Sequence, residues 1–201
     1  MKKLLRLLAL GAVFAALTAA APAPKERVVL AGGCFWGMQA VFEQLRGVSK
    51  VVAGYAGGNE STAHYEIVST GETGHAESVE ITYDPSQISF QRLLDVYFLV
   101  AHNPTELNRQ GPDEGTQYRS EIFYTTQAQR SAAQQYIARL EHSHTYSAPI
   151  VTKLAPLSGF YAAEAYHQDY VAHNPDNPYV VFNDKPKLAD LHRRFPQLLK
   201  Q

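Results

Sequence analysis

The stretch AGGCFWG, residues 31–37, holds the only cysteine of the chain, Cys34, between two glycines and two large aromatic side chains. A thiol in that setting has three fates open to it. It can be a small buried hydrophobe, a lipid attachment point, or a nucleophile. A lipoprotein signal also ends at a cysteine, but Lys25, Glu26 and Arg27 interrupt the apolar approach to Cys34 and exclude that reading. A helical pattern starts directly after it, with Phe35, Met38, Phe42 and Leu45 at i, i+3, i+7 and i+10. Unpaired N–H groups and the dipole at a helix start favour a thiolate, so Cys34 is expected to ionise below the usual thiol value. The flanking residues alone leave buried filler and nucleophile both open.

A second group bears on the choice. In AESVEIT, residues 76–82, Val79 and Ile81 alternate with Ser78, Glu80 and Thr82, the pattern of a half-buried strand. Glu77 shares the parity of the apolar set. If the strand already runs at residue 77, this carboxyl faces inward at the strand's mouth. There it would stay protonated to higher pH and could act as a general acid. If the strand begins later, Glu77 is solvated. The eight histidines (His64, His75, His102, His142, His144, His167, His173 and His192) show no HxxxH or HExxH spacing, so no metal centre is expected. GYAGG and GETGH lack the strand–GxxxxGK–helix setting of a phosphate loop.

These groups need a scaffold to bring them together. RVVLA (27–31) reads as a strand that AGG breaks, and the helix from Phe35 stops at Gly47. Strands follow at 48–58 and 76–84, then a helix over 89–102, a turn-rich stretch, and a strand over 118–125. An alanine-rich helix ends at His142, and a last strand covers 148–156. The core order is β-α-β-β-α-β, the split βαβ or ferredoxin-like arrangement. The expected fold is therefore α+β, a two-layer sandwich with helices on one face of a mixed sheet. After Phe160, a short helix and a long irregular C-terminal tail are expected, the tail holding Pro175, Pro178, Pro186 and Pro196.

At 201 residues the chain is one domain's worth. A net charge of −1 provides no basic field for nucleic acid. MKKLLR followed by the 15-residue apolar run Leu7–Ala21 has the layout of a secretory signal, and the run is too short to span a bilayer. Residues 1–23 are therefore expected to be a leader and 24–201 a single domain, exported to the periplasm or secreted. Such compartments favour disulfides, yet one cysteine cannot form an internal disulfide.

Taken together, GGCFWG (32–37), GYAGG (54–58), TGHAE (73–77), YDPSQISF (83–90), LNRQGPDEGTQYRS (107–120) and FYAAEAYHQDY (160–170) resemble the peptide methionine sulfoxide reductase A family. The segments occur in the family's order across nearly the whole chain from Arg27. The resemblance implies reduction of the S epimer of methionine sulfoxide, free or in proteins, without a metal or organic cofactor. By motif it assigns Cys34 as nucleophile and Phe35 and Trp36 as the wall that holds the S-methyl group. Glu77 becomes the acid for the sulfoxide oxygen, Tyr65 and Tyr118 the hydroxyls that orient it, and Asp113 a further polar partner.

One feature departs from many relatives. They carry resolving cysteines near the C-terminus, whereas HNPDNPYVVFNDKPKL has none. Recycling is expected to need an external thiol: a thioredoxin-like protein, a glutaredoxin system, or dithiothreitol in vitro. The competing readings are a non-catalytic relative that binds methionine-containing segments and a cysteine hydrolase using His75 or His167.

Overall fold

The structure is a computed structural model and describes residues 24–201. The expected leader, 1–23, lies outside the described residues. In chain order the first half runs β1 (Glu26–Ala31), α1 (Phe35–Glu43), β2 (Val48–Ala56), a short α2 (Tyr65–Val68), β3 (Ala76–Tyr83) and α3 (Phe90–Val96). Two-residue strands β4 (Arg109–Gln110) and β5 (Asp113–Glu114) form a small hairpin. β6 (Glu121–Tyr124), α4 (Gln127–His142), β7 (Lys153–Pro156), β8 (Phe160–Ala162), α5 (Tyr170–His173) and α6 (Lys185–Arg194) complete the chain.

The main sheet has the order β7-β6-β1-β3-β2-β8, and only β6 and β7 pair in parallel. Its central run β6-β1-β3-β2 is the ferredoxin-like order, so the mixed α+β sandwich read from the sequence is the fold observed. β1 lies at its heart. Val28 and Leu30 face the main core, while Val29 and Ala31 join a smaller cluster with Phe123 on the other side. That is why VVLA is a continuous apolar run and not an alternating one. α1 lays Phe35, Met38 and Phe42 against the main core beside β2 and β3.

α3 widens at its end into a π-helical turn, Tyr97–Ala101. From it the Tyr97 hydroxyl donates to the Ala31 carbonyl over 2.7 Å. His102 stacks beside it and reaches Ser120 Oγ at 2.7 Å. This buried polar pair underlies Gly32, two residues before Cys34.

Four local expectations differ, the first being the strand expected over 148–156, which is only Lys153–Pro156. The strand expected over 118–125 is only Glu121–Tyr124, because Tyr118 closes a 3-10 turn, Thr116–Tyr118. Phe160–Ala162, where a helix was expected to begin, is instead edge strand β8, pairing Gly54 with Ala162. The tail is more regular than its prolines suggest. Pro186 stands in the first turn of α6, where its missing N–H has no partner to lose.

Candidate active site

Cys34 sits at the N-cap of α1, between Gly33 in the left-handed region (φ +89°) and the first helical residue. The space beside Gly33 belongs to Gln110: a Cβ there would lie 2.5 Å from Gln110 Cγ. Gln110 is held by both backbone groups of Asn103, at 2.8 and 3.0 Å. The turn-rich 107–120 segment thus packs onto the GG pair and fixes where the thiol points.

The thiol is 7 % exposed. Its ionisation runs opposite to expectation. Burial pushes Cys34 well above the ordinary thiol value, and the charges of Glu77 and Asp184 add to that. The Trp36 N–H at the helix start does stabilise the thiolate, as does Lys187, but both effects are smaller. The helix terminus acts as predicted and is outweighed by desolvation. Its first N–H is also taken: Phe35 N–H donates to Glu77 Oε2 at 3.1 Å.

Glu77 is the second residue of β3, so the inward parity applies and only 2 % of it is exposed. Burial, with a smaller contribution from Asp113, lifts its carboxyl from 4.5 to about 8 against the opposing Phe35 bond. It therefore carries a proton at neutral pH. Tyr65 opens α2, and Glu164 holds its backbone N–H at 3.0 Å. Burial raises the phenols of Tyr65 and Tyr118, so both stay protonated donors. Asp113, in β5, is raised by burial and accepts a hydrogen bond from the Tyr179 hydroxyl. A cavity of about 160 Å³ is lined by Cys34, Phe35, Trp36, Tyr65, Glu77, Asp113, Tyr118 and Tyr179. All seven residues singled out from the sequence meet there, joined by one that was not.

The aromatic wall is built by the C-terminal half. Trp36 stacks face to face on Tyr170 with centroids 3.7 Å apart and meets the edge of Tyr179 at 5.7 Å. Its indole N–H donates to His167 Nδ1 at 3.1 Å. His167 is buried, and desolvation lowers its pKa, so it is a neutral acceptor. His75 is engaged with the backbone of Gly58 and Asn59. Neither histidine is hydrogen-bonded to Cys34, the contact that the base of a cysteine hydrolase would make. A larger groove of about 650 Å³ beside Asp95, Tyr136 and Arg139 lies apart from Cys34, which is not among its lining residues. Among the described residues no three His, Cys, Asp or Glu side chains converge as a metal site.

Sequence reasoning missed Glu164, Tyr170, Tyr179 and Asp184 as parts of this site, and named His167 only as the base of the competing hydrolase reading. The available signal was the aromatic density of FYAAEAYHQDY and NPDNPY, with its short spacing between rings.

Known proteins resemble this chain in sequence and in fold. A sequence model described as peptide methionine sulfoxide reductase matches residues 26–198. The Mesorhizobium japonicum protein named peptide methionine sulfoxide reductase MsrA 2 is 56% identical over 176 residues, 88% of this chain and 90% of that one. A Synechocystis protein of the same name is 51% identical over 175 residues, 87% of this chain and 82% of the relative. Among solved structures, reduced Mxr1 from Saccharomyces cerevisiae is 32% identical with a TM-score of 0.66, covering 79% of this chain and 91% of its own. Methionine sulfoxide reductase A of Corynebacterium diphtheriae is 34% identical with a TM-score of 0.67, covering 76% of each. The chain belongs to the peptide methionine sulfoxide reductase family.

Proposed function

We propose that this reductase converts methionine S-sulfoxide, free or in proteins, to methionine, with Cys34 as nucleophile and Glu77 as the acid. The observation that carries the reading is one small cavity holding the only thiol, a carboxyl still protonated at neutral pH, and an aromatic wall. A sulfoxide oxygen is a poor leaving group until protonated, so thiol and acid must act on the same molecule.

In the first half-reaction the Cys34 sulfur attacks the sulfoxide sulfur while Glu77 delivers its proton to the oxygen. Tyr65 and Tyr118 donate hydrogen bonds to that oxygen, and Trp36 and Phe35 enclose the methyl group. The thiol proton replaces the one Glu77 gave up. The hydroxyl passes from the substrate sulfur to the Cys34 sulfur, so that the sulfur–oxygen bond and the transient sulfur–sulfur bond to the substrate both break, Cys34 is left as a sulfenic acid, and methionine departs. Cys34 is oxidised and the substrate is reduced, with no further electron carrier. With no second cysteine in the chain, two external thiol groups restore Cys34, giving one disulfide and one water. The basic start and apolar run within residues 1–23 support export, and with it action on oxidised proteins outside the cytoplasm with a thiol reductant protein of that compartment as partner.

The test is an assay of the purified protein with each sulfoxide epimer and dithiothreitol. Turnover of the S epimer alone, abolished by Cys34→Ser, is the expected result. Turnover by Cys34→Ser, or equal rates on both epimers, would overturn it.

A further inference from the structure

Asp184 is not used by the reaction above. It ends a π-helical turn, Val180–Asp184, and its side chain is fully shielded from solvent. Neither carboxylate oxygen has a hydrogen-bond partner. Lys187 Nζ, on α6, stands 3.7 Å from Oδ1, an ion pair too long for a hydrogen bond. A buried carboxylate left in that state is destabilising, so its presence asks for a reason.

What it faces suggests one. A Cβ added to Gly37 would lie 2.2 Å from Asp184 Oδ1 and 3.1 Å from Lys187 Nζ. Both charges therefore press on the first turn of α1, and the missing side chain at Gly37 admits them. Gly37 is three residues beyond Cys34, on the same face of the helix.

We propose that Asp184 and Lys187 are a positioning pair that sets the charge on Cys34. The carboxylate adds to burial and to Glu77 in keeping the resting sulfur a neutral thiol, and the ammonium limits that effect. The charged and titratable groups around this sulfur are Glu77 from β3, Asp113 from β5, and the hydroxyls of Tyr65, Tyr118 and Tyr179. Asp184 and Lys187 come from the C-terminal segment. Burial lifts Asp184 to about 6, so it is an anion wherever the thiol titrates. Its charge opposes the thiolate and that of Lys187 favours it. Because the thiolate is the form that oxidises and alkylates, Asp184 protects the sole cysteine between turnovers, and Lys187 sets how far that protection goes. This purpose rests on Cys34 being the nucleophile, but the ionisation can be read without turnover.

The experiment measures the rate of iodoacetamide alkylation against pH for the full chain, Asp184→Asn, Lys187→Met and the double variant. Asp184→Asn is expected to lower the midpoint and to alkylate several-fold faster than the parent chain at pH 7. Lys187→Met is expected to raise it, and the double variant to fall between. A midpoint unmoved in Asp184→Asn, or both single variants moving in the same direction, overturns the proposal. Should Asp184→Asn fail to fold, Lys187→Met carries the test alone, and an unmoved midpoint there is equally fatal. Turnover by Cys34→Ser would sink the nucleophile assignment while leaving these midpoint shifts readable.

Discussion

Glu77 shows how one residue's chemistry follows from its place. Two residues into β3 and facing inward, it keeps its proton to about pH 8. Glu77→Gln preserves a group that accepts from Phe35 and donates to a sulfoxide oxygen. It should lower kcat/KM about tenfold, and Glu77→Ala by about 10²- to 10⁴-fold, the usual span for a general acid. Equal losses in both would contradict a neutral-acid role.

Burial of this carboxyl also affects the fold. The unfolded chain releases the proton near 4.5 and the folded chain only near 8, so this group lowers stability as pH rises through that window. Glu77→Gln should therefore melt higher than the parent protein at pH 8 and gain nothing at pH 4. Parallel melting profiles would contradict this. Cys34 itself should alkylate with a midpoint above about 8.5, the reference thiol value. A midpoint below it would restore the helix-terminus expectation. The sequence identified these residues by motif and parity. The proton on Glu77 followed from its parity, whereas the charge state of Cys34 was hidden because it depends on burial and on residues far along the chain: Glu77 lies 43 positions after Cys34 and Asp184 lies 150 after it.

At the scale of elements, the site depends on how one loop meets one helix. Gly33 combines a left-handed backbone with close contact to Gln110. Gly33→Ala should cost about 1–3 kcal/mol of backbone strain and displace the thiol. The expected result is at least a tenfold fall in kcat/KM together with a lower Tm. Adding Gln110→Ala removes the overlap but not the strain, so it should restore activity only in part. Full restoration would show that φ is unimportant here. The strands and helices of the ferredoxin-like core were legible because each obeys its own period. β8 was not, because three residues carry too little pattern. α6 was not, because a helix-starting proline reads locally like a breaker. The rings from 160 to 179 gave a composition signal, but only folding against Trp36 turns that signal into a wall.

For the whole molecule, the decisive feature is the single thiol. Nothing within the chain can reset an oxidised Cys34, so steady turnover should rise with added thiol and stop without it. The proposed export, read from the basic and apolar pattern of residues 1–23, predicts that the protein made in its own cell is recovered outside the cytoplasm without about the first 23 residues; recovery of the intact chain in the cytoplasm would contradict export. The most direct measurement of the central claim needs neither cell nor reductant. Reduced protein is mixed with excess methionine S-sulfoxide in the absence of thiol, and the methionine released is counted per chain. About one equivalent is expected, set by one nucleophile per chain, with one oxygen atom gained at Cys34 by mass spectrometry. No methionine, or sustained turnover with Cys34 left unoxidised, would contradict the proposed chemistry.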